Sequence, residues 1–347
     1  MGTTAYQPLV LVETSELPRE EWLAYRRRGI GGSDAAAVLG ISPFMTGRDL
    51  YYDKLGISAA ADDENWVAKE IGHRLEPLVA EIFSKRTGLK VFQKKFMFQH
   101  PQYPWMLADL DYLVELPDGS IAILECKTST SNSSENWWYA GKEIVPAYYE
   151  SQGRHYMAVM NYGKTFFCCL FTDTREAIIR SIDRDMAYEE ELIALEDTFW
   201  NENVVKQLPP EYTENGDLVM KSVQRLLGPA ATDAPPVVIT PPQFSRVKKF
   251  MQLQEQKSGF DAEIKKLDKE MARLKALIVA DMGNSCKALY EDAEGNYTIT
   301  YNPVYKQSIP KEGLDRLKAV HPEIYSEYVK TSESRRFLVK KVSDSAA

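Results

Sequence analysis

The stretch SIAILECKTST (Ser120–Thr130) ends a run of aliphatic residues with Glu125 and Lys127, two ionisable residues separated by a single cysteine. The aliphatic run predicts a buried β-strand, and the Asp118-Gly119 pair in front of it predicts a tight turn. Because side chains alternate between the two faces of a strand, Glu125 and Lys127 would point the same way. The two charges are either a surface ion pair or a carboxylate that binds a metal ion with an ammonium group beside it.

Composition limits the classes of protein to which the chain can belong. With 347 residues, 44% of them hydrophobic and 27% charged, it has the composition of a soluble globular protein with one large domain or two. No apolar run approaches the roughly 18 residues of a membrane span, and the N-terminus lacks the order of a signal peptide. The four cysteines form no zinc-binding pattern, so reduced thiols in a cytosolic protein are expected.

The net charge of −8 argues against a surface coated in basic charge for non-specific nucleic-acid binding. It leaves room for a local basic groove, because binding to nucleic acid depends on a patch of the surface and not on the sum of charges.

Helices are predicted for the N-terminal part of the chain. Three short ones are expected, in the stretches LPREEWLAYRRRG, GSDAAAVLG and TGRDLYYDKLG. The second would begin with Ser33 or Asp34 as its N-cap, after a glycine-rich turn. A longer helical pattern runs from Asn65 to Thr87 and contains Pro77, which predicts a kink or a helix that begins near Leu75-Glu76.

A strand-rich region follows these helices. Strands are predicted for KVFQKKFMFQH, WMLADLDYLVEL and DGSIAILECKT, and Asp118-Gly119 joins the last two as a hairpin. A helix is expected over about Pro146–Asn161, then strands in KTFFCCLFTD and REAIIRSID, and an amphipathic helix in MAYEEELIALEDTFWNENV.

The character of the sequence changes after Gln207. Two proline-rich stretches predict a linker over residues 208–243, and a long polar helix is expected from about Phe244 to Met282. Its apolar residues recur at steps of four and three, which indicates a short coiled-coil seam or a helix laid along a domain. These residues are Phe260, Ile264, Leu267, Met271, Leu274 and Ile278. The predicted domains are thus a core (1–207), a linker (208–243) and a long helix with a small α+β extension (244–347).

Asp111 and the Glu125-x-Lys127 triplet lie on opposite arms of the predicted hairpin. Across such a hairpin the two acids can approach within metal-bridging reach. Carboxylate oxygens suit Mg²⁺ or Mn²⁺, and a lysine beside them could stabilise charge on a phosphate. This spacing is typical of a site that hydrolyses phosphodiesters.

Four stretches resemble, in the same order, the motifs of the YqaJ-like viral recombinases, relatives of phage lambda exonuclease within the PD-(D/E)xK nucleases. They are RRRGIGGSDAAAVLG, GHRLEPLVAEIF, LADLDYLVE…LECKT and VPAYYESQGRHYMAV, which together span about Trp22 to Phe171. The resemblance implies a mixed α/β fold of the restriction-endonuclease type, with a central mixed sheet flanked by helices.

The resemblance also implies a set of site residues. It assigns metal binding to Asp111, Glu125, the Cys126 carbonyl and Glu76, and catalytic roles to Asp111, Glu125, Lys127, Glu76 and Gln152. Arg154 stands where many relatives have a second glutamine, and His73 and His155 are expected to have packing roles. Asp109, expected on the same strand face as Asp111, ranks below it as a metal ligand.

A terminal 5′-phosphate would bind to Ser33 with Arg27 and Arg26, according to the same resemblance. A glycine-rich turn before a helix N-terminus suits an anion, and arginine binds phosphate with two hydrogen bonds. A plain N-cap and a solvated helix end explain the same residues. The basic residues Arg335, Arg336, Lys340 and Lys341 near the C-terminus likewise suit a nucleic-acid backbone or a solvated face.

The function implied is a Mg²⁺-dependent DNA exonuclease, with Mn²⁺ as a substitute, that resects duplex ends 5′ to 3′ for phage-type recombination. A single-strand annealing protein would be its partner, a homo-oligomer its assembly, and the cytoplasm of a bacterial host its location. The alternatives are a structure-specific or restriction-type endonuclease and a non-catalytic DNA-binding or assembly module. A small-molecule metallohydrolase is disfavoured because the sequence contains no histidine cluster.

Overall fold

The protein is represented by a computed structural model that describes residues 6–57, 66–228, 235–292, 295–305 and 309–329. The chain divides into two compact units, Met1–Thr232 and Asp233–Ala347. Arg335, Arg336, Lys340 and Lys341 lie outside the described residues.

The first unit contains eleven strands within its described residues. They are β1 (Leu9–Glu13), β2 (Ile30–Gly31), β3 (Lys90–Phe92), β4 (Phe96–Gln99), β5 (Met106–Asp109), β6 (Tyr112–Glu115), β7 (Ile121–Ser129), β8 (Trp138–Tyr139), β9 (Lys142–Glu143), β10 (Lys164–Phe171) and β11 (Glu176–Asp183). One sheet has the order β1-β4-β5-β2, a second has the order β11-β10-β7-β6-β3, and β8 and β9 form a small hairpin.

Seven α-helices accompany these strands in the described part of the first unit. They are α1 (Arg19–Arg26), α2 (Gly32–Val38), α3 (Gly47–Lys54), α4 (Trp66–Thr87), α5 (Ala147–Met160), α6 (Met186–Thr198) and α7 (Gly216–Leu227). A 3-10 helix precedes β8 and a π-helix follows α6. The predicted mixed α/β architecture, with mixed sheets and flanking helices, is confirmed.

Strand β7 is the central strand of the second sheet. It pairs antiparallel with β6 and parallel with β10, so that Glu125 lies opposite Phe167 and Lys127 opposite Cys169. The hairpin predicted between β6 and β7 is confirmed, and Gly119 in its turn has φ +82°, a conformation that favours glycine. The site residues of β7 are therefore supported by strands on both sides.

The stretch WMLADLDYLVEL, predicted as one strand, forms two strands in different sheets. It runs as β5 in the first sheet and β6 in the second, and Leu110 and Asp111 make the crossing. The expectation that Asp109 and Asp111 share a strand face is therefore wrong, because the alternation of side chains ends where the strand ends.

Helix α4 runs through Pro77 as one helix, so of the two alternatives for this stretch a helix that begins near Leu75-Glu76 is wrong. Its buried residues Val79, Ala80 and Phe83 pack against the second sheet. This packing fixes the helix that carries Glu76.

Helix α7 lies within the segment 208–243, which the sequence assigns to a linker. Its N-cap Asn215 accepts a hydrogen bond from the backbone N–H of Leu218, and Leu218 and Ser222 are buried. Ser222 donates to Asp49 at 2.8 Å, and Arg225 contacts the same carboxylate at 2.7 Å. Helix α7 lies between the two proline-rich stretches and packs against the first unit.

The second unit contains a 42-residue helix followed by smaller elements. They are α8 (Pro241–Met282), β12 (Lys287–Asp292), β13 (Gly295–Thr300), α9 (Lys311–Val320) and α10 (Pro322–Tyr328). β12 and β13 pair antiparallel, as the predicted hairpin requires. No residue of α8 is buried, and the apolar residues recurring along it are all exposed.

Candidate active site

Glu125 and Lys127 form a buried ion pair on the central strand. Lys127 Nζ donates to Glu125 Oε2 at 2.8 Å, as two residues on the same face of a strand permit. The Glu125 side chain is 0% exposed and that of Lys127 is 15% exposed. The pair is therefore not the surface ion pair that the sequence alone left open.

Gln152 connects both members of this pair. It projects from α5, where its Nε2 donates to Glu125 Oε2 at 2.6 Å and its Oε1 accepts from Lys127 Nζ at 2.9 Å. The three side chains thus form a closed ring of hydrogen bonds, which holds the lysine and the carboxylate in one arrangement. The structure brings together the glutamine and the triplet predicted from the sequence.

Asp111 lies against the backbone of the same strand. Its Oδ2 accepts the backbone N–H of Cys126 at 2.9 Å. We name Asp111, Glu125, Lys127 and Gln152 the acid–lysine cluster. Within the described residues, Glu125 Oε1 is buried without a hydrogen-bond partner. A buried carboxylate oxygen is costly to leave unpaired, so this atom is the one that a bound cation would satisfy.

Glu76 adds a third acid to the neighbourhood of the cluster. Burial, and then the charge of Asp111, raise its pKa to about 7. Its Oε2 lies 3.8 Å from Nδ1 of the exposed His73. Burial and the charge of Asp111 likewise raise the pKa of Glu125 to about 8. Burial is thus the larger cause for both acids and their mutual repulsion adds to it, so a cation bound nearby would favour their charged forms.

Lys127 is held in its charged form by these acids. Burial acts to lower its pKa, but the charges of Glu125 and Asp111 outweigh burial and raise that pKa above its usual range. The Tyr149 ring also lies with its centroid 5.0 Å from Lys127 Nζ. These contacts favour the charged form of Lys127, which donates hydrogen bonds to Glu125 and Gln152.

The side chains of this site supply only some of the ligands that a hard cation needs. In the portion of the chain that the structure describes, no three His, Cys, Asp or Glu side chains gather closely enough to hold a metal ion. Mg²⁺, however, binds through one or two carboxylates, waters and substrate phosphates and needs no complete protein cage. Asp111 and Glu125 supply carboxylate oxygens of this kind, and Glu125 Oε1 has no hydrogen-bond partner among the described residues, so these residues fit such an ion.

Arg26, and not Arg27, makes the contact with Ser33. Its Nη2 donates to Ser33 Oγ at 2.9 Å and lies 2.8 Å from Asp34 Oδ1. Arg27 instead lies 3.4 Å from the Asp53 carboxylate. The structure thus joins two of the three predicted phosphate-binding residues and directs the third elsewhere.

The N-cap of α2 is Gly31, which precedes both residues predicted for it, Ser33 and Asp34. Asp34 accepts the backbone N–H of Gly31 at 2.9 Å, and Ser33 lies within the first turn of the helix. The prediction of Ser33 or Asp34 is wrong because Asp34 caps the helix from inside, as the third residue of a capping box. The Ser33 hydroxyl is therefore free of a capping bond and faces Arg26.

The sequence did not predict the buried ion cluster that Asp34 forms with Arg26 and Lys54. Lys54 Nζ contacts Asp34 Oδ2 at 2.7 Å, and the two side chains are 1% and 8% exposed. No local pattern signals this contact, because Lys54 is the last residue of another helix. Tyr149 was also missed, although its spacing of three from Gln152 places both on one face of α5.

Two further residues considered from the sequence, Arg154 and His155, have contacts outside the acid–lysine cluster. Arg154 pairs with Glu150 at 2.6 Å, so it does not act as a second glutamine would. His155 is fully buried between Glu196, at 2.8 Å, and the Leu107 carbonyl, at 2.9 Å. The packing role expected for His155 is confirmed.

Comparisons with known proteins identify similar chains. The model of a family described as "YqaJ-like viral recombinase domain" matches residues 21–163. The "Uncharacterized protein YqaJ" of Bacillus subtilis (strain 168) is 30% identical over 346 residues, which cover 98% of this chain and 100% of the relative. No helix among the described residues is both long enough and apolar enough to cross a membrane.

Two solved structures also match at low identity. An alkaline exonuclease from Laribacter hongkongensis is 19% identical with a TM-score of 0.44, over 60% of this chain and 99% of that chain. A phage-related exonuclease from Haemophilus somnus 129PT is 13% identical with a TM-score of 0.38, over 52% of this chain and 96% of that chain.

Proposed function

Because the chain belongs to the YqaJ-like viral recombinase family, we propose that it is a metal-dependent DNA exonuclease. The observation that carries the proposal is the buried acid–lysine cluster, in which Lys127 and Gln152 share one oxygen of Glu125 and leave the other unpaired. A buried lysine held among acids is typical of a functional site more than of a stabilising ion pair.

The metal ion of this proposal is Mg²⁺, for which Mn²⁺ would substitute. Asp111, Glu125 and the Cys126 carbonyl would hold it, with Glu76 as a further acid. When bound, the ion supplies Lewis acidity toward the scissile phosphodiester and lowers the pKa of water.

Lys127 would stabilise the negative charge that develops on the phosphate during hydrolysis. Its ammonium group is charged and aimed by two hydrogen bonds, so little reorganisation is needed during the reaction. Gln152 would hold both Lys127 and Glu125 in place. Removal of either partner should therefore slow the chemical step more than it weakens DNA binding.

Arg26 and Ser33, together with the backbone at the start of α2, would bind a terminal 5′-phosphate. Arginine offers the hydrogen-bond geometry that phosphate prefers, and the helix N-terminus adds a positive dipole. A site that holds the 5′ end beside a hydrolytic centre supports digestion from 5′ to 3′. The 3′ overhang left behind would then pass to a single-strand annealing protein.

The wider setting of the proposal follows from the family. Duplex DNA ends would be the substrate, a homo-oligomer the assembly, and recombination of phage DNA in the host cytoplasm the process.

A comparison of DNA ends with closed DNA tests the proposal. The full chain is incubated with linear 5′-phosphorylated duplex or with the same DNA as a covalently closed circle, with Mg²⁺ or with chelator. We expect digestion of the linear form alone, in Mg²⁺ alone. Lys127→Ala should slow it by at least about a hundredfold, and Lys142→Ala, at an exposed lysine, should not. Cleavage of circles would instead identify an endonuclease, and inactivity of the parent on both forms would leave a binding or assembly module.

A further inference from the structure

Trp22 connects the arginine of the proposed phosphate pocket with the strand that leads to the acid–lysine cluster. It precedes Arg26 by one turn of α1, and the Arg26 Cζ lies 5.1 Å from the centroid of the Trp22 ring. On its other side, Trp22 Nε1 donates to Asp109 Oδ2 at 2.6 Å. This side chain thus supports Arg26 and is itself held by a charge-assisted hydrogen bond.

Asp109 continues the connection into the cluster. It is the last residue of β5, and only Leu110 separates it from Asp111. Asp111 in turn accepts the backbone N–H of Cys126, the residue between Glu125 and Lys127. A short series of contacts therefore runs from Arg26 through Trp22 and Asp109 to the reacting groups.

Asp109 has no other assigned task in the site. Its Oδ2 is taken by Trp22, and the crossing of the chain at Leu110 separates it from Asp111 at the end of the strand. Among the described residues, one side-chain hydrogen bond joins α1 to the end of β5, and it is the bond from Trp22 to Asp109. Such a contact fixes how far α1 stands from the cluster.

We propose that Trp22 and Asp109 are positioning residues that set the spacing between the bound terminal phosphate and the acid–lysine cluster. The inference rests on the proposed exonuclease function and extends it to the choice of phosphodiester. With α1 held against β5, one phosphodiester at a fixed distance from the end meets the cluster, and products of one length are released. Without the link, Arg26 holds the end less firmly and neighbouring phosphodiesters reach the cluster as well.

The test uses the full chain, Mg²⁺ and duplex labelled at its 5′-phosphate, and measures the length of the labelled product and the rate ratio of 5′-phosphorylated to 5′-hydroxyl ends. Trp22→Phe keeps a ring beneath Arg26 and removes the N–H donor, whereas Asp109→Ala removes the acceptor. Asp109→Asn keeps an acceptor oxygen, and Trp138→Phe alters a tryptophan that is 47% exposed and outside these contacts.

We expect products of mixed length from Trp22→Phe and Asp109→Ala, with the rate ratio lowered by up to about tenfold. Asp109→Asn and Trp138→Phe should give the single length of the parent. A single length from Trp22→Phe with an unchanged ratio would overturn the inference, and this variant decides the matter if Asp109→Ala does not fold. If the parent itself degrades no DNA or ignores the end phosphate, the proposed function fails and the inference fails with it.

Discussion

Replacement of Asp34 by asparagine should destabilise the first unit strongly. The Asp34 carboxylate lies 2.8 Å from Arg26 Nη2 and 2.7 Å from Lys54 Nζ, and it accepts the backbone N–H of Gly31 at 2.9 Å. Asparagine has almost the same shape but no charge. Lys54, whose side chain is 1% exposed, would then be buried without a counter-charge.

The expected loss is about 3–5 kcal/mol in the free energy of unfolding, the range for breaking a buried ion pair by removing one partner. Asp34→Asn combined with Lys54→Met should recover part of this loss, because the uncompensated ammonium group is gone. Asp53→Asn is the matched control. Its side chain is 41% exposed and contacts Arg27 at 3.4 Å, so its loss should stay below about 1 kcal/mol.

Urea unfolding followed by tryptophan fluorescence measures these differences. All six tryptophans fall between residues 22 and 200, so the signal reports the first unit. With a slope of about 3 kcal/mol per molar urea, the Asp34→Asn midpoint should fall by about 1–2 M. A midpoint no lower than that of Asp53→Asn would refute the buried-charge argument.

The difference in unfolding free energy between the parent and Asp34→Asn should depend on pH. Burial acts to raise the pKa of Asp34, but the charges of Arg26 and Lys54 outweigh it and hold that pKa well below its usual range. A carboxylate with a depressed pKa stabilises the fold above its unfolded pKa and loses that effect as pH falls toward the folded value. The difference between parent and Asp34→Asn should therefore stay constant from pH 8 to 5 and shrink below about pH 4.

Three further outcomes are expected. Lys127→Ala should lower the rate of DNA hydrolysis by at least about a hundredfold and leave DNA affinity unchanged. Single-turnover digestion measures the rate and binding in chelator measures the affinity, and equal losses in both would contradict a role of Lys127 in the chemical step. Asp111→Asn should abolish metal-dependent hydrolysis that Asp109→Asn retains, and the reverse result in the same digestion assay would assign the metal to Asp109. Arg26→Ala should lower the ratio of the digestion rates of 5′-phosphorylated and 5′-hydroxyl ends by about ten- to a hundredfold, whereas Arg27→Ala should leave that ratio within about twofold. Equal ratios in the two variants would contradict the role of Arg26 in binding the end phosphate.

The parts of the fold that the sequence predicts correctly depend on local patterns. The hairpin around Gly119 follows from its turn residues and its flanking aliphatic runs, and the common face of Glu125 and Lys127 follows from strand alternation. Gln152 came from the resemblance to a family, and its bonds to both residues agree with the position assigned to it. The metal ion and the roles of these residues stay predictions.

The parts that were missed depend on contacts between distant segments. The crossing from β5 to β6 at Leu110 leaves no mark in an apolar run that continues across it. The choice between Arg26 and Arg27 is decided by Asp34 and Asp53, which lie on two other helices. Neither strand propensity nor helix periodicity carries such information, because both describe only neighbours along the chain.

The two partners of β7 have a consequence for the order in which the protein folds. Its pairing with β6 closes a short turn, which costs little chain entropy, whereas its pairing with β10 brings Glu125 opposite Phe167 from a distant part of the chain. During synthesis, β7 is therefore an edge strand until Phe171 has left the ribosome, with an open row of backbone groups and an apolar surface. Gln152 precedes β10 in the sequence, so every member of the ring of hydrogen bonds is synthesised before β10, the second partner of β7, is complete. A ribosome stalled before that point would display the acids and the lysine on an aggregation-prone edge, without the order that the finished sheet gives them.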